Sequence, residues 1–183
     1  RQLASLYDTT SRSFDEAGGL FPSGAIDLLA SASIHPGLAT SERKRCERTV
    51  REVLEDLLRS PMFDPLDGGL FSARQGPSWK FPMFQRDCPS QARAAVALIQ
   101  AWRATGDPLA LQRAEELIRF AESAYRTDDG LFSIGSAAEV DTAEWLWSVE
   151  DIRQALPAED VDWWIRMNAM KGLGNLPSES DPG

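Results

Sequence analysis

Residues 89–133 read PSQARAAVALIQAWRATGDPLALQRAEELIRFAESAYRTDDGLFS, and this stretch decides the fold. Over Ala92 to Ala104, Val96, Leu98, Ile99, Trp102 and several alanines fall on nearly every side of a helix, the pattern of an inner, buried one. Thr105-Gly106-Asp107-Pro108 then makes a tight connection: Gly ends one helix at C′, Asp caps the next, and Pro opens it at N1. The second helix gathers Leu111, Ala114, Leu117, Ile118, Ala121 and Tyr125 on one face. Outside, Glu115/Arg119 and Glu122/Arg126 stand at i,i+4. The pair closes with Gly130-Leu131-Phe132.

Outward from this pair the same punctuation recurs. Gly19-Leu20-Phe21 and Gly69-Leu70-Phe71 precede Gly130-Leu131-Phe132 at spacings of 50 and 61 residues, with Ser72 and Ser133 after the last two. A period near 50 is that of a helix pair with its connections. Gly lets the chain leave a helix through a left-handed conformation, after which Leu-Phe tucks under the helix ends. Before the first turn, Leu3, Leu6, Tyr7, Thr10 and Phe14 predict a helix. After it, Ser23 as N-cap with Ile26, Leu28, Leu29 and Ala32 predicts another, stopped by His35-Pro36. Cys46, Val50, Val53, Leu54, Leu57 and Leu58 stripe a helix over Ser41 to Ser60. Ser148 with Asp151 forms a capping box ahead of Ile152 and Leu156, and a last helix runs from Glu159 to Lys171, ending at Gly172. Two extended pairs, Leu70–Arg74 with Ser78–Phe81 and Leu131–Ile134 with Trp145–Trp147, predict β-hairpins between helix pairs. The expectation is an all-α chain of seven helices over 1–183: a single domain of αα-hairpin repeats, forming an incomplete (α/α) toroid with two small β-hairpins at one rim.

Charge and composition exclude several function classes. Residues 1–106 are near neutral, with 13 Lys/Arg against 12 Asp/Glu, whereas residues 107–183 carry 6 against 16. An acidic surface repels phosphate backbones, so nucleic acid is not expected as a partner. No apolar run approaches the length that spans a bilayer, so no membrane contact is expected. Cys46 and Cys88 are too few and too far apart for a disulfide framework or a CxxC motif. No His/Cys/Asp/Glu group has metal-ligand spacing, and no P-loop, GxGxxG or nucleophile elbow occurs. Neither a metal nor a cofactor is expected.

The order of these parts resembles the helical portion of thioredoxin-domain proteins of the spermatogenesis-associated protein 20 type. The residues that carry the likeness are Asp15-Glu16-Ala17-Gly18-Gly19, Asp67-Gly68-Gly69-Leu70-Phe71, Trp79-Lys80-Phe81-Pro82, Ala104-Thr105-Gly106-Asp107-Pro108, Trp145-Leu146-Trp147-Ser148 and Gly174-Asn175. That portion is similar to N-acylglucosamine 2-epimerases and six-hairpin glycosidases, which implies an (α/α) toroid with its pocket at one end. It also implies a thioredoxin-like domain before Arg1 and further helices beyond Gly183. The chain departs from the family where chemistry is expected. A His-Phe-Glu-Lys stretch is replaced by Met83-Phe84-Gln85-Arg86, and an Asp-Ala-Asp run by Ile134-Gly135-Ser136-Ala137-Ala138. The Pro-Lys-Phe-Pro expected after the first Gly-Gly gives way to Phe21-Pro22-Ser23-Gly24.

Proton transfer at a sugar carbon needs paired acid/base groups, and this chain has one histidine, His35, beside Pro36 at a helix end. Glycoside hydrolysis needs two facing carboxylates. The acids available at the rim are Asp87, Asp141 and Glu144, which are the catalytic candidates. Trp79, Phe84, Gln85, Arg86, Trp145 and Trp147 are the candidate ligand-binding residues, with the tryptophans as a stacking platform for a sugar face. Trp102 and Trp164 read as core and Trp163 as half exposed. Expected partners are a saccharide, adjacent domains of a parent chain, and a second copy through the open flank of the helix array. Two function classes follow: a non-catalytic relative that keeps the fold for binding or domain contact, and a fragment of a carbohydrate-active enzyme.

Overall fold

The computed structural model describes residues 6–10, 12–14, 19–66, 68–76, 78–135 and 146–172. Two compact units are distinguished, Arg1–Ala137 and Ala138–Gly183. Six helices are described in place of the seven expected.

The first unit is built from two helix pairs. Helices α1 (Ser23–Ile34) and α2 (Thr40–Leu57) form one, and α3 (Cys88–Thr105) and α4 (Pro108–Tyr125) the other. Helix α1 packs on α2 and α3, and α3 packs on α4. The stripe on α2 is buried through Val50, Val53, Leu54 and Leu57, each such side chain contributing about 1.5–3 kcal/mol by leaving water. Helix α3 buries Ala94, Ala95, Ala97, Leu98 and Ala101, and these small residues let its two neighbours approach closely. Asp107 caps α4 by accepting from the Leu109 N–H at 3.0 Å, after Gly106 has turned through φ 72°.

Three local expectations are corrected. Residues 6–10 and 12–14 are not helical. Asp8 accepts from the Thr10 N–H at 2.8 Å and exchanges backbone hydrogen bonds with Ser13, so an Asx turn takes the backbone groups a helix would need. Ser23 is the first helical residue and caps nothing; Pro22 holds the N-cap position with no side-chain bond. Trp102, read as core, is 38% exposed, because the alanine-lined face of α3 leaves the large indole at its margin.

The three Gly-Leu-Phe turns meet at one end of this unit. Leu20 bridges Ala73; β1 (Ala73–Arg74) pairs antiparallel with β2 (Pro82–Met83); Asp87 bridges Gly135. Phe21 N–H donates to Ser72 O at 3.1 Å and Ser72 N–H to Gln85 O at 2.8 Å. A ribbon of short pairings therefore links the start of α1, the segment after α2, the start of α3 and the segment after α4. Helices α1 and α3 both leave this rim, while α2 and α4 return to it.

The turns differ in detail. Leu70 and Phe71 are both buried, Phe21 is buried beside an exposed Leu20, and Leu131 and Phe132 are both exposed. The left-handed φ falls on Gly68 and Gly130, not on Gly69. Gly69 is needed for a different reason: a Cβ there would stand 2.8 Å from the Phe120 ring. The first expected hairpin is described as a strand pair, but its second strand is Pro82–Met83 rather than Ser78–Phe81; the second expected hairpin is not. Phe132 bridges Arg126 instead, Leu146 and Trp147 carry no strand, and Trp145 lies outside the described residues.

The second unit holds α5 (Val149–Ala155) and α6 (Ala158–Met167), packed on each other. The capping box at Ser148 and Asp151 forms as the sequence predicts. Ile152 and Val161 are buried. Trp164, read as core, is 37% exposed, and Trp163 is exposed beside it.

Candidate functional site

The rim of the first unit holds the described candidate residues of that unit. Asp87 precedes α3 and is its N-cap: Ser90 N–H donates to Oδ1 at 2.8 Å, and the Ser90 and Ser72 hydroxyls donate to Oδ2 at 2.7 and 2.6 Å. Burial works to raise its pKa, but the hydrogen bonds from Ser72 and Ser90 and the nearby Arg93 outweigh it, holding the carboxyl below the ordinary carboxylate range. A proton donor needs the opposite shift.

Arg86 is spent in a similar way. Its guanidinium meets Asp64 at 3.1 Å with both side chains largely buried, and it lies over the Phe120 ring at 4.6 Å and the Phe71 ring at 5.6 Å. Asp64 also accepts from the Leu66 N–H at 2.9 Å. Phe84 is half-buried, edge-on to Phe71 with centroids 5.4 Å apart. Gln85 and Met83 point outward at the hairpin and are exposed.

Trp79 offers no open face for stacking. It is 4% exposed, and the buried Arg74 guanidinium covers its ring at 4.6 Å while donating to the Gly76 carbonyl. Trp79 does line a depression of ≈ 450 Å³ with Glu55, Asp56, Arg59, Ser60 and Lys80. Phe84, Gln85, Arg86 and Asp87 do not line it, so among the described candidates of this unit only Trp79 reaches this depression. Trp147, in the second unit, is exposed. Asp141, Glu144 and Trp145 lie outside the described residues.

His35 sits at the other end of the array. Its Nδ1 accepts from the Gly37 N–H at 3.1 Å. The 12 residues of α1 at ~1.5 Å each put it roughly 18 Å from the rim.

Sequence reasoning missed the buried polar groups that build the rim. Gln91 is fully buried; it accepts from the Leu70 N–H at 2.8 Å and donates to the Leu70 carbonyl at 2.7 Å. Arg113 stacks on Phe63 at 4.9 Å and donates to the Leu58 carbonyl at 3.1 Å. One signal was present for Asp87: Asp87-Cys88-Pro89 repeats the cap-then-proline grammar of Asp107-Pro108. Among the described residues no group of three His, Cys, Asp or Glu side chains could hold a metal ion, and no helix is long and apolar enough to cross a membrane.

No protein-family model matches the chain, and no curated protein matches it. Among solved structures it is similar to a sugar epimerase from a ruminal bacterium, with a TM-score of 0.52 and 16% sequence identity. The match covers 90% of this chain and 50% of that one, so the chain spans half the length of the epimerase. A likeness at this identity speaks for the fold: helix pairs arranged as in a sugar epimerase.

Proposed function

We propose that this chain is a non-catalytic module on a sugar-epimerase-like helical fold, serving ligand binding or domain contact in a protein of the thioredoxin-domain type. The observation that carries this reading is the state of Asp87, the one described rim acid among the catalytic candidates. Three hydrogen bonds from Ser72 and Ser90 hold it as a helix cap, with its pKa pushed down. A general acid must release a proton near neutral pH, and a carboxylate locked as an acceptor has none to give. Met83 and Gln85, where the resembled family carries imidazole and carboxylate, titrate at no useful pH. The link to thioredoxin-domain proteins rests on the order of sequence motifs.

The alternative reading, a fragment of a carbohydrate-active enzyme, draws on the likeness to a sugar epimerase, with Asp141 and Glu144 as its acids. One experiment separates the two. The purified chain is incubated with a panel of N-acylated and plain aldoses and short oligosaccharides, and turnover is followed by NMR beside binding. The non-catalytic reading expects no epimerase, isomerase or glycosidase turnover. Turnover abolished by Asp141→Asn or Glu144→Gln would establish the enzyme reading instead.

A further inference from the structure

The depression of ≈ 450 Å³ beside Trp79 lies within the first unit and has the volume of a small-molecule site. Its acids are already engaged. Arg12 reaches Glu55 at 2.7 Å and Asp56 at 3.4 Å, so one guanidinium answers both carboxylates. Ser60 is satisfied as well: its hydroxyl donates to the Leu57 carbonyl at 2.7 Å and accepts from the Met62 N–H at 3.3 Å.

The cations that line the depression are in a different state. Lys80 and Arg59 are exposed, and neither forms an ion pair among the described residues. Arg59 makes one long hydrogen bond, to the Glu55 carbonyl at 3.5 Å. With Arg12 counted beside the acids it holds, Arg12, Arg59 and Lys80 face Glu55 and Asp56, an excess of positive charge. Trp79 adds a second, independent observation. It is 4% exposed, and its indole N–H is buried with no acceptor among the described residues. Buried donors are nearly always paired, so one left over points to an acceptor that the chain itself does not supply. Ammonium, guanidinium and indole N–H donate and cannot accept. A cationic ligand would have to displace Arg12 from the acids, and a neutral polyol would leave Lys80 and Arg59 uncompensated. An oxyanion answers all three donors.

We propose that this depression binds a small oxyanion, a carboxylate or a phosphate monoester, with its charge against the exposed Lys80 and Arg59 and one oxygen reaching past them to accept from the Trp79 indole N–H. That bond is made away from bulk water, where a charge-assisted hydrogen bond is strongest. Such a site is independent of whether the rim is catalytic.

NMR of the isotope-labelled chain tests it, with inorganic phosphate and acetate titrated separately to about 20 mM at an ionic strength held constant with chloride. The indole N–H resonance of Trp79, assigned through Trp79→Phe, should move downfield and saturate with a Kd of about 0.1–5 mM, while the exposed indoles of Trp102 and Trp163 hold still. A response to phosphate alone identifies the ligand as a phosphate monoester, a response to acetate alone as a carboxylate, and a response to both establishes the shared oxyanion chemistry. Lys80→Gln and Arg59→Gln should each weaken binding about two- to fivefold, with the helical circular dichroism unchanged because both side chains are exposed. In Trp79→Phe, which keeps an aromatic ring and removes the donor, binding read from the Lys80 backbone amide should weaken about tenfold. No shift with either anion, an equal shift when chloride alone is raised, or a Kd that ignores Trp79→Phe or both charge removals would each overturn the proposal.

Discussion

Replacing Gln91 by Ala should be among the most damaging changes in the first unit, although Gln91 touches no candidate ligand. Its carboxamide is fully buried and closes a two-bond ring on the backbone of Leu70, at 2.8 and 2.7 Å. Truncation leaves the buried Leu70 N–H and carbonyl without those partners. Stranding a buried backbone group costs about 1–3 kcal/mol, so the pair costs roughly 2–6 kcal/mol, a large share of the ~5–15 kcal/mol that holds a domain together. At about 3 °C per kcal/mol for a unit of this size, the melting temperature should fall by roughly 6–18 °C. Urea denaturation followed by circular dichroism measures the loss, with the exposed Gln85→Ala as a control expected within about 0.5 kcal/mol of the parent. A loss below about 0.5 kcal/mol for Gln91→Ala would show that water or a shifted Leu70 satisfies both groups. The account of the second turn as a polar lock would then be wrong.

Three further outcomes are expected. Gly69→Ala should destabilise by about 1–3 kcal/mol through forced displacement of Phe120, whose ring would meet the new Cβ at 2.8 Å; Gly24→Ala, with open space around it, should not, and chemical denaturation of both tells them apart. Arg86→Ala leaves the buried Asp64 without its cation and should cost about 3–5 kcal/mol, read as a shift in the urea midpoint. Asp87→Ala should cost about 1–2 kcal/mol at neutral pH as a lost helix cap. Its pH dependence has a definite sign: the folded pKa is depressed, so the stabilisation is complete above the unfolded value near ~3.9 and fades as pH falls through the lower folded value. The gap between parent and Asp87→Ala should therefore narrow in acid titrations; a gap that widens below that pH refutes the assignment.

The helix pairs were legible because their signals are local. Gly106-Asp107-Pro108 ends one helix and starts another within three residues, and the α2 stripe needs only the 3.6-residue period. The recurrence of Gly-Leu-Phe carried one non-local fact, that the turns share an end. The expected N-terminal helix fails over residues 6–10 and 12–14 because periodicity gave no weight to Asp8, whose side chain captures the Thr10 N–H. At the rim, residue type misled. Trp79 looked like a platform, yet the long side chain of Arg74 reaches across the hairpin to cover it, a contact set by β1–β2 pairing rather than by spacing along the chain. Asp87 was placed at the rim correctly, but its two hydroxyl partners come from Ser90, three residues on, and Ser72, fifteen residues back. Only the first of these is visible in sequence.

These assignments change what the rim can do. A site that moves protons needs groups that are accessible and poised between charge states. Here the polar groups are consumed by the architecture: Asp64 by Arg86, Asp87 by Ser72 and Ser90, Gln91 by Leu70, and Arg74 by Gly76 and the Trp79 face. What the same rim turns outward is different in kind, namely Leu20, Met83, Leu131, Phe132 and Ile134. Such side chains gain free energy by leaving water and cannot transfer a proton. Among the described rim residues, these outward side chains are suited to contact. Exposed rim substitutions such as Met83→Asp or Phe132→Asp should then leave folding intact while abolishing whatever association the rim supports, whereas substitutions at the buried polar groups should act first on stability.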